Sequence, residues 1–167
     1  MPDEPLRDGP LRLLVVEDSP ADVELIRSRL QGVAGSRAFE IDAVDRLSAA
    51  LRRVKSADVV LLDLGLPDTS GLDGVMRLVG EAPEMPVVVL TGREDADLGL
   101  RAVREGAQDF LLKDKVDGAL LDRSLRYAIE RKRAEQALAR LATIMGAICY
   151  DCGRKLAYDR PTKGFES

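Results

Sequence analysis

The segment Ala57-Asp-Val-Val-Leu-Leu-Asp63 is a short, continuous apolar run that ends on an acidic residue. Short apolar runs bounded by turn residues are typical of strands that are covered on both faces. The following segment, Gly65-Leu-Pro-Asp-Thr-Ser-Gly71, is rich in residues that form turns. We therefore predict a buried strand that delivers Asp63 to the edge of a sheet.

Comparable runs occur on both sides of this segment. Three of them are followed directly by polar residues: Leu11–Val16 before Glu17 and Asp18, Pro86–Leu90 before Thr91, and Phe110–Leu112 before Lys113. A fifth segment, Phe39–Val44, alternates apolar and polar residues, which indicates a strand with one more polar side. The sequence therefore predicts five strands.

Helical patterns separate these strands. Ser19 is a favourable N-cap and Pro20 suits the first helical position, so a helix is expected to begin there. Further helices are indicated around 47–54, 72–79 and 94–106, and from about 116 onward. Strands that alternate with helices over short connections predict an α/β fold, a doubly wound parallel sheet with helices on both faces. Ligands of such sheets bind beyond the carboxyl ends of the strands.

The composition excludes several classes of protein. The 167 residues include no histidine, which excludes Ser-His-Asp catalysis and mixed Cys/His zinc sites, and only two cysteines, which excludes a disulfide framework. A net charge of −4 and 4% aromatic residues argue against a nucleic-acid partner. The apolar runs are too short to span a membrane and the amino terminus has no signal-peptide pattern, so we expect a cytoplasmic protein.

Polar residues of complementary chemistry gather at the predicted carboxyl edge of the sheet. Three carboxylates in one poorly solvated cleft would repel each other unless a cation neutralised them. Oxygen donors without histidine or cysteine favour Mg²⁺, and a lysine and a hydroxyl across the cleft could hold an oxyanion. Together these groups are the parts of a phosphoryl-transfer site: Glu17, Asp18, Asp63, Thr91 and Lys113.

The same residues lie in four motifs: Val15-Val-Glu-Asp-Ser19, Leu61-Leu-Asp-Leu-Gly-Leu-Pro-Asp68, Leu90-Thr-Gly92 and Phe110-Leu-Leu-Lys113. In these motifs the chain resembles the response-regulator receiver domains of two-component signal transduction, over about residues 11–131. The resemblance implies a flavodoxin-like fold with strand order 2-1-3-4-5.

The resemblance also implies a role for each motif residue. Asp63 would accept a phosphoryl group from a sensor histidine kinase or a phosphotransfer protein, and Lys113 and Thr91 would bind phosphoryl oxygens. Mg²⁺, or Mn²⁺ in its place, would be held by Glu17, Asp18, Asp63 and the backbone carbonyl of Gly65. Thr91 and Phe110 would form a switch that changes the face of the fourth helix, fifth strand and fifth helix, which an unknown downstream protein would read. Such a domain catalyses only its own phosphorylation and slow dephosphorylation.

Three positions depart from the common receiver pattern. Asp114 follows Lys113 where many receivers have proline, Phe110 replaces tyrosine, and Glu17 replaces aspartate. Two other functions stay open. One is a receiver-like dimerisation scaffold that works without phosphorylation. The other, a Mg²⁺-dependent phosphatase that uses Asp63, is disfavoured because Gly65 stands where such an enzyme has an acid.

The last helix is expected to run past the receiver to about residue 148, because no proline interrupts it. Apolar residues spaced by four and three positions form a stripe on it: Ala134, Leu138, Leu141, Met145 and Ile148. We expect a homodimer, formed either through this stripe or through the face of the fourth helix, fifth strand and fifth helix. The stripe could also dock on a partner domain. The predicted divisions are a disordered leader (1–10), the receiver (11–131), a helical linker or dimerisation extension (132–148) and a tail (149–167). The tail carries Cys149 and Cys152, which we interpret as unpaired.

Overall fold

The computed structural model describes residues 9–35 and 38–151. Within them the chain forms a five-stranded parallel sheet of order β2-β1-β3-β4-β5. The strands are β1 (Leu11–Val16), β2 (Phe39–Val44), β3 (Val59–Asp63), β4 (Val87–Thr91) and β5 (Asp109–Leu112). The predicted doubly wound α/β class and the strand order are both confirmed. The predicted leader at 1–8 and the tail from 152 lie outside the described residues.

Five α-helices follow the five strands. They are α1 (Pro20–Gln31), α2 (Leu47–Arg53), α3 (Asp73–Glu81), α4 (Ala96–Arg104) and α5 (Gly118–Asp151). Ser19 caps α1 as predicted, because its side chain accepts a hydrogen bond from the Asp22 backbone nitrogen. This cap fixes where α1 leaves the sheet.

Alternate residues of the central strands pack into two separate cores. Leu14 and Val16 of β1 face one core, which α2, α3 and α4 cover, while Leu13 and Val15 face the other, which α1 and α5 cover. Four residues of α5 are buried in this second core: Leu121, Leu125, Ala128 and Ile129. Strands buried on both faces explain why their sequences read as continuous apolar runs.

Element boundaries differ from the sequence predictions by a few residues. β3 begins at Val59 rather than 57, because Asp58 bonds Arg12: its carboxylate accepts from the Arg12 backbone nitrogen at 2.8 Å. β4 includes Thr91, whose carbonyl accepts a hydrogen bond from the backbone nitrogen of Lys113. The helix predicted from residue 94 begins at 96, since 93–95 form a 3₁₀ turn.

The chain separates into two compact units, Met1–Lys132 and Arg133–Ser167. In the second unit the predicted apolar stripe is exposed at every described large residue: Leu138, Leu141 and Met145, with Ile144 beside them. Among the described helices, none has both the length and the hydropathy that crossing a membrane requires.

Candidate functional site

Three carboxylates meet at the carboxyl edge of the sheet. Glu17 and Asp18 follow β1, and Asp63 is the last residue of the neighbouring strand β3. One oxygen from each side chain lies within 4.8 Å of the others. Glu17 and Asp63 are buried while Asp18 is exposed. Glu17 is fixed by the turn into α1, where its Oε1 accepts from the backbone nitrogen of Ser19 at 3.1 Å.

Lys113 places its ammonium directly among these acids. Its Nζ lies 2.7 Å from Oε2 of Glu17, 3.0 Å from Oδ2 of Asp22 and 3.3 Å from Oδ2 of Asp63. The sequence led us to expect the lysine across the cleft from the carboxylates, facing an oxyanion. Its ammonium pairs with the carboxylates, because a buried pair of carboxylates attracts the nearest cation. The expected contact of Lys113 with an oxyanion remains a prediction.

Burial, hydrogen bonds and charge in this cluster perturb the pKa values of two groups, Lys113 and Glu17. Burial lowers the pKa of the Lys113 ammonium, but its bonds to Glu17 and Asp22 and the charge of Asp63 outweigh burial and raise it above its ordinary 10.5. Burial raises the pKa of Glu17, and repulsion from Asp63 adds to this against the opposing hydrogen bond from Lys113. Lys113 therefore contributes stability that is complete below pH 10.5 and lost as the pH rises through its folded pKa.

The remaining predicted residues are Gly65, Thr91 and Phe110. A Cβ built on Gly65 would lie 3.4 Å from Oδ2 of Asp63, so the loop after β3 passes close to that carboxylate. Thr91 ends β4 beside β3 and is buried, and its hydroxyl donates to the carbonyl of Gly92 at 3.4 Å. Phe110 lies apart from the acids, on the face of the sheet that α4 covers.

The position of the Phe110 ring depends on Gly99. A Cβ added to Gly99 of α4 would overlap Cδ2 of the Phe110 ring and lie 2.8 Å from its Cγ. Only a residue without a side chain therefore lets the ring occupy this position unchanged.

Two further acids make contacts that were not predicted from the sequence. Asp22 contacts Lys113, and Asp68 caps α2 from the loop after β3 by accepting from the backbone nitrogens of Leu47 (3.0 Å) and Ser48 (3.1 Å). Burial raises the pKa of Asp68, but its hydrogen bonds, chiefly those from Leu47 and Ser48, together outweigh burial and lower that pKa. Asp22 could have been found, since it occupies the first turn of a helix that begins at the acidic edge. The sequence around Asp68 gave no indication that its carboxylate would cap α2, because its partners lie about 20 positions away.

The donor set of the acidic cluster fits a hard divalent cation. It offers only carboxylate oxygens, together with the nearby backbone of Gly65. Mg²⁺ is commonly held by a few carboxylates while it keeps water and phosphate oxygens in its other positions. The cluster therefore matches the metal chemistry that the sequence analysis anticipated.

Comparison with known proteins places the chain in a family. The family model of the response regulator receiver domain matches residues 13–124. The chain belongs to the response-regulator receiver family. Receiver domains are signalling domains of two-component systems, and the resemblance expected from the four motifs is confirmed.

Curated relatives and solved structures agree with this assignment. KdpE, the KDP operon transcriptional regulatory protein of Escherichia coli strain K12, is 37% identical over 127 residues, which are 75% of this chain and 54% of KdpE. A protein-glutamate methylesterase/protein-glutamine glutaminase of Anaeromyxobacter dehalogenans is 40% identical over 110 residues, 64% of this chain and 31% of the relative. The chain thus spans about half the length of KdpE and about a third of the length of the methylesterase.

A receiver domain protein from Clostridium thermocellum shares the fold with a TM-score of 0.64 and 29% identity. The similarity covers 74% of this chain and 98% of that one. The signal receiver domain of a LuxO repressor protein from Vibrio parahaemolyticus gives a TM-score of 0.65 with 25% identity, over 77% of this chain and 97% of that one.

Proposed function

We propose that the receiver accepts a phosphoryl group on Asp63 from a phosphohistidine of a sensor histidine kinase or a phosphotransfer protein, in a reaction that requires Mg²⁺. The observation that carries this proposal is the convergence of Glu17, Asp18, Asp63 and Lys113 within a few ångströms at one sheet edge. The 167 residues contain no histidine, so a phosphohistidine donor would lie outside them.

In the proposed transfer, a carboxylate oxygen of Asp63 attacks phosphorus. The new P–O bond forms as the P–N bond of the phosphohistidine breaks, and the electron pair returns to the imidazole nitrogen, which takes up a proton. Glu17, Asp18, Asp63 and the carbonyl of Gly65 would hold Mg²⁺ (or Mn²⁺), which supplies neutralisation of the charge on the phosphoryl oxygens. Lys113 would bind one of those oxygens and Thr91 another.

We propose further that Thr91 and Phe110 transmit phosphorylation to the face of α4, β5 and α5. The side chains of Leu100, Val103 and Tyr127 are exposed on its helices. Thr91 and Phe110 occupy neighbouring strands next to this face. A new charge on Asp63 that draws the Thr91 hydroxyl away from Gly92 would open space for the Phe110 ring.

The proposed extension at 132–148 would associate two copies of the chain through the exposed stripe of α5. Isolated apolar side chains are ordinary on a protein surface, but Leu138, Leu141 and Met145 recur at helical spacing on one helix. The same stripe also favours the second candidate, a dimerisation scaffold that does not need phosphorylation. The domain limits of 11–131 and 132–148, and a cytoplasmic location, belong to this proposal.

One experiment separates phosphoryl acceptance from scaffolding. The chain is incubated with Mg²⁺ and acetyl phosphate, and its intact mass and sedimentation coefficient are measured before and after. We expect one added phosphoryl group in the wild type, none in Asp63→Asn, and none when EDTA removes the metal. Wild-type protein that binds no phosphoryl group and still sediments as a dimer would support the scaffold instead.

A further inference from the structure

Asp22 contacts the site lysine although no role assigned above includes it. It lies in the first turn of α1, and its Oδ2 accepts from Lys113 Nζ at 3.0 Å. Its carboxylate is not one of the three that could share a cation. The ammonium of Lys113 has three N–H donors, and its carboxylate neighbours are Glu17, Asp22 and Asp63.

Two of these three neighbours, Glu17 and Asp63, are also among the acids proposed to hold Mg²⁺. A divalent cation on Glu17 and Asp63 would compete with Lys113 for their oxygens and repel its ammonium. Asp22 would then be the carboxylate that still holds Lys113 beside the site. Its side chain is 39% exposed, so it can exchange the ammonium for water more readily than Glu17, which is 2% exposed.

We propose that Asp22 is a positioning residue for Lys113. It receives the ammonium when Glu17 and Asp63 turn to the metal, and it releases the ammonium to the phosphoryl group when that group arrives. This inference rests on the proposed function, because it concerns the same site and the same two ligands, Mg²⁺ and the phosphoryl group.

The two ligands should respond to Asp22 in opposite directions. Asp22 favours the metal, because it accepts the cation that the metal displaces. It opposes the phosphoryl group, because its charge repels an anion and its hydrogen bond retains Lys113. If Asp22 only maintained the structure of the site, its removal would lower the affinity for both ligands.

A simpler function for Asp22 is stabilisation of α1. Acidic residues in the first turn interact favourably with the helix dipole, and Asp22 also donates its backbone N–H to Ser19. Under this explanation, the substitution of Asp22 would lower thermal stability and leave the balance between the two ligands unchanged.

The test uses the full chain with Asp22→Asn, the charge-restoring variant Asp22→Glu, and Asp42→Asn as a matched control. Asp42 pairs with Arg53 at 2.8 Å on the exposed surface and has no contact with the site. Calorimetry gives the Kd of Mg²⁺, and titration with beryllofluoride at saturating Mg²⁺ gives the affinity for a phosphoryl mimic.

In Asp22→Asn we expect the Kd of Mg²⁺ to rise about threefold and the Kd of beryllofluoride to fall about threefold, as expected for one partly screened charge. Asp22→Glu should return both values toward wild type, and Asp42→Asn should change neither. With Lys113→Met in the background, most of both effects should disappear, because they act through the lysine.

The outcomes distinguish this inference from the function on which it rests. Wild-type protein that binds neither ligand would overturn the proposed function. Wild-type protein that binds both, with Asp22→Asn shifting both affinities in the same direction or matching Asp42→Asn, would overturn the role of Asp22 alone.

Discussion

The contact between Gly99 and Phe110 predicts that Gly99→Ala destabilises the protein when the Phe110 ring is present and stabilises it when the ring is removed. Gly99→Ala places a Cβ against the Phe110 ring, and overpacking of this kind costs about 1–3 kcal/mol. The same change inside α4 gains up to about 1 kcal/mol in helix propensity. We expect a net loss of about 1 kcal/mol in the free energy of unfolding of the otherwise wild-type chain.

Removal of the ring should convert this loss into a gain. In a Phe110→Ala background, Gly99→Ala should stabilise by up to about 1 kcal/mol, since only the propensity remains. Urea unfolding of the four proteins of this double-mutant cycle gives the coupling energy directly. Gly80→Ala is the matched control, because Gly80 lies in α3 with open space around its Cα, and it should stabilise both backgrounds equally.

The ring position can be followed independently of stability. The chain contains three phenylalanines, so 4-fluorophenylalanine labelling gives a ¹⁹F spectrum in which substitution identifies residue 110. Gly99→Ala should shift that resonance, as the ring leaves its seat. A coupling energy below about 0.5 kcal/mol, or an unmoved resonance, would refute the argument that Gly99 determines where the switch residue lies.

Three further predictions concern charge, capping and association. Without metal, Lys113→Met should lower the free energy of unfolding by about 2–3 kcal/mol, because it leaves buried carboxylates unpaired. Saturating Mg²⁺ should reduce this difference between the variant and the wild type. Exposed Lys115→Met is the control, and an equal loss of stability in both variants would contradict the prediction. Asp68→Ala should lower the free energy of unfolding by about 1 kcal/mol at pH 7, because the cap of α2 is lost. The pKa of Asp68 in the folded protein lies below the ordinary 3.8, so urea titrations should show this difference shrinking as the pH falls below 3.8. A difference that persisted at such pH values would show that the carboxylate charge is not its cause. Truncation after Arg133 should yield monomers at micromolar concentration, and an unchanged sedimentation coefficient would show that α5 does not hold the copies together.

The strands and their polar ends could be predicted because they depend on local patterns. An apolar run that ends on Asp63 reports both burial on two faces and the position of the acid at the sheet edge. The N-cap of α1 at Ser19 is also local. The strand order came from resemblance to a family rather than from the pattern, since alternation of strands and helices leaves the order open.

Contacts between distant parts of the chain could not be predicted from the sequence. Asp22 and Lys113 are separated by 91 positions, and Asp68 and Leu47 by 21. In each pair, the sheet topology brings the start of a helix next to a loop that follows a distant strand. The fit of Gly99 to Phe110 depends on side-chain packing between α4 and β5, which the helical period of α4 does not specify.

The central claim is that Asp63 receives the phosphoryl group, and chemical location of that group tests it most directly. The wild-type chain is labelled with acetyl phosphate and Mg²⁺, reduced with borohydride to convert an aspartyl phosphate into homoserine, and digested for peptide mass analysis. We expect homoserine at position 63 alone, and none in Asp63→Asn. Homoserine at another aspartate, or equal phosphoryl labelling of Asp63→Asn, would contradict the central claim.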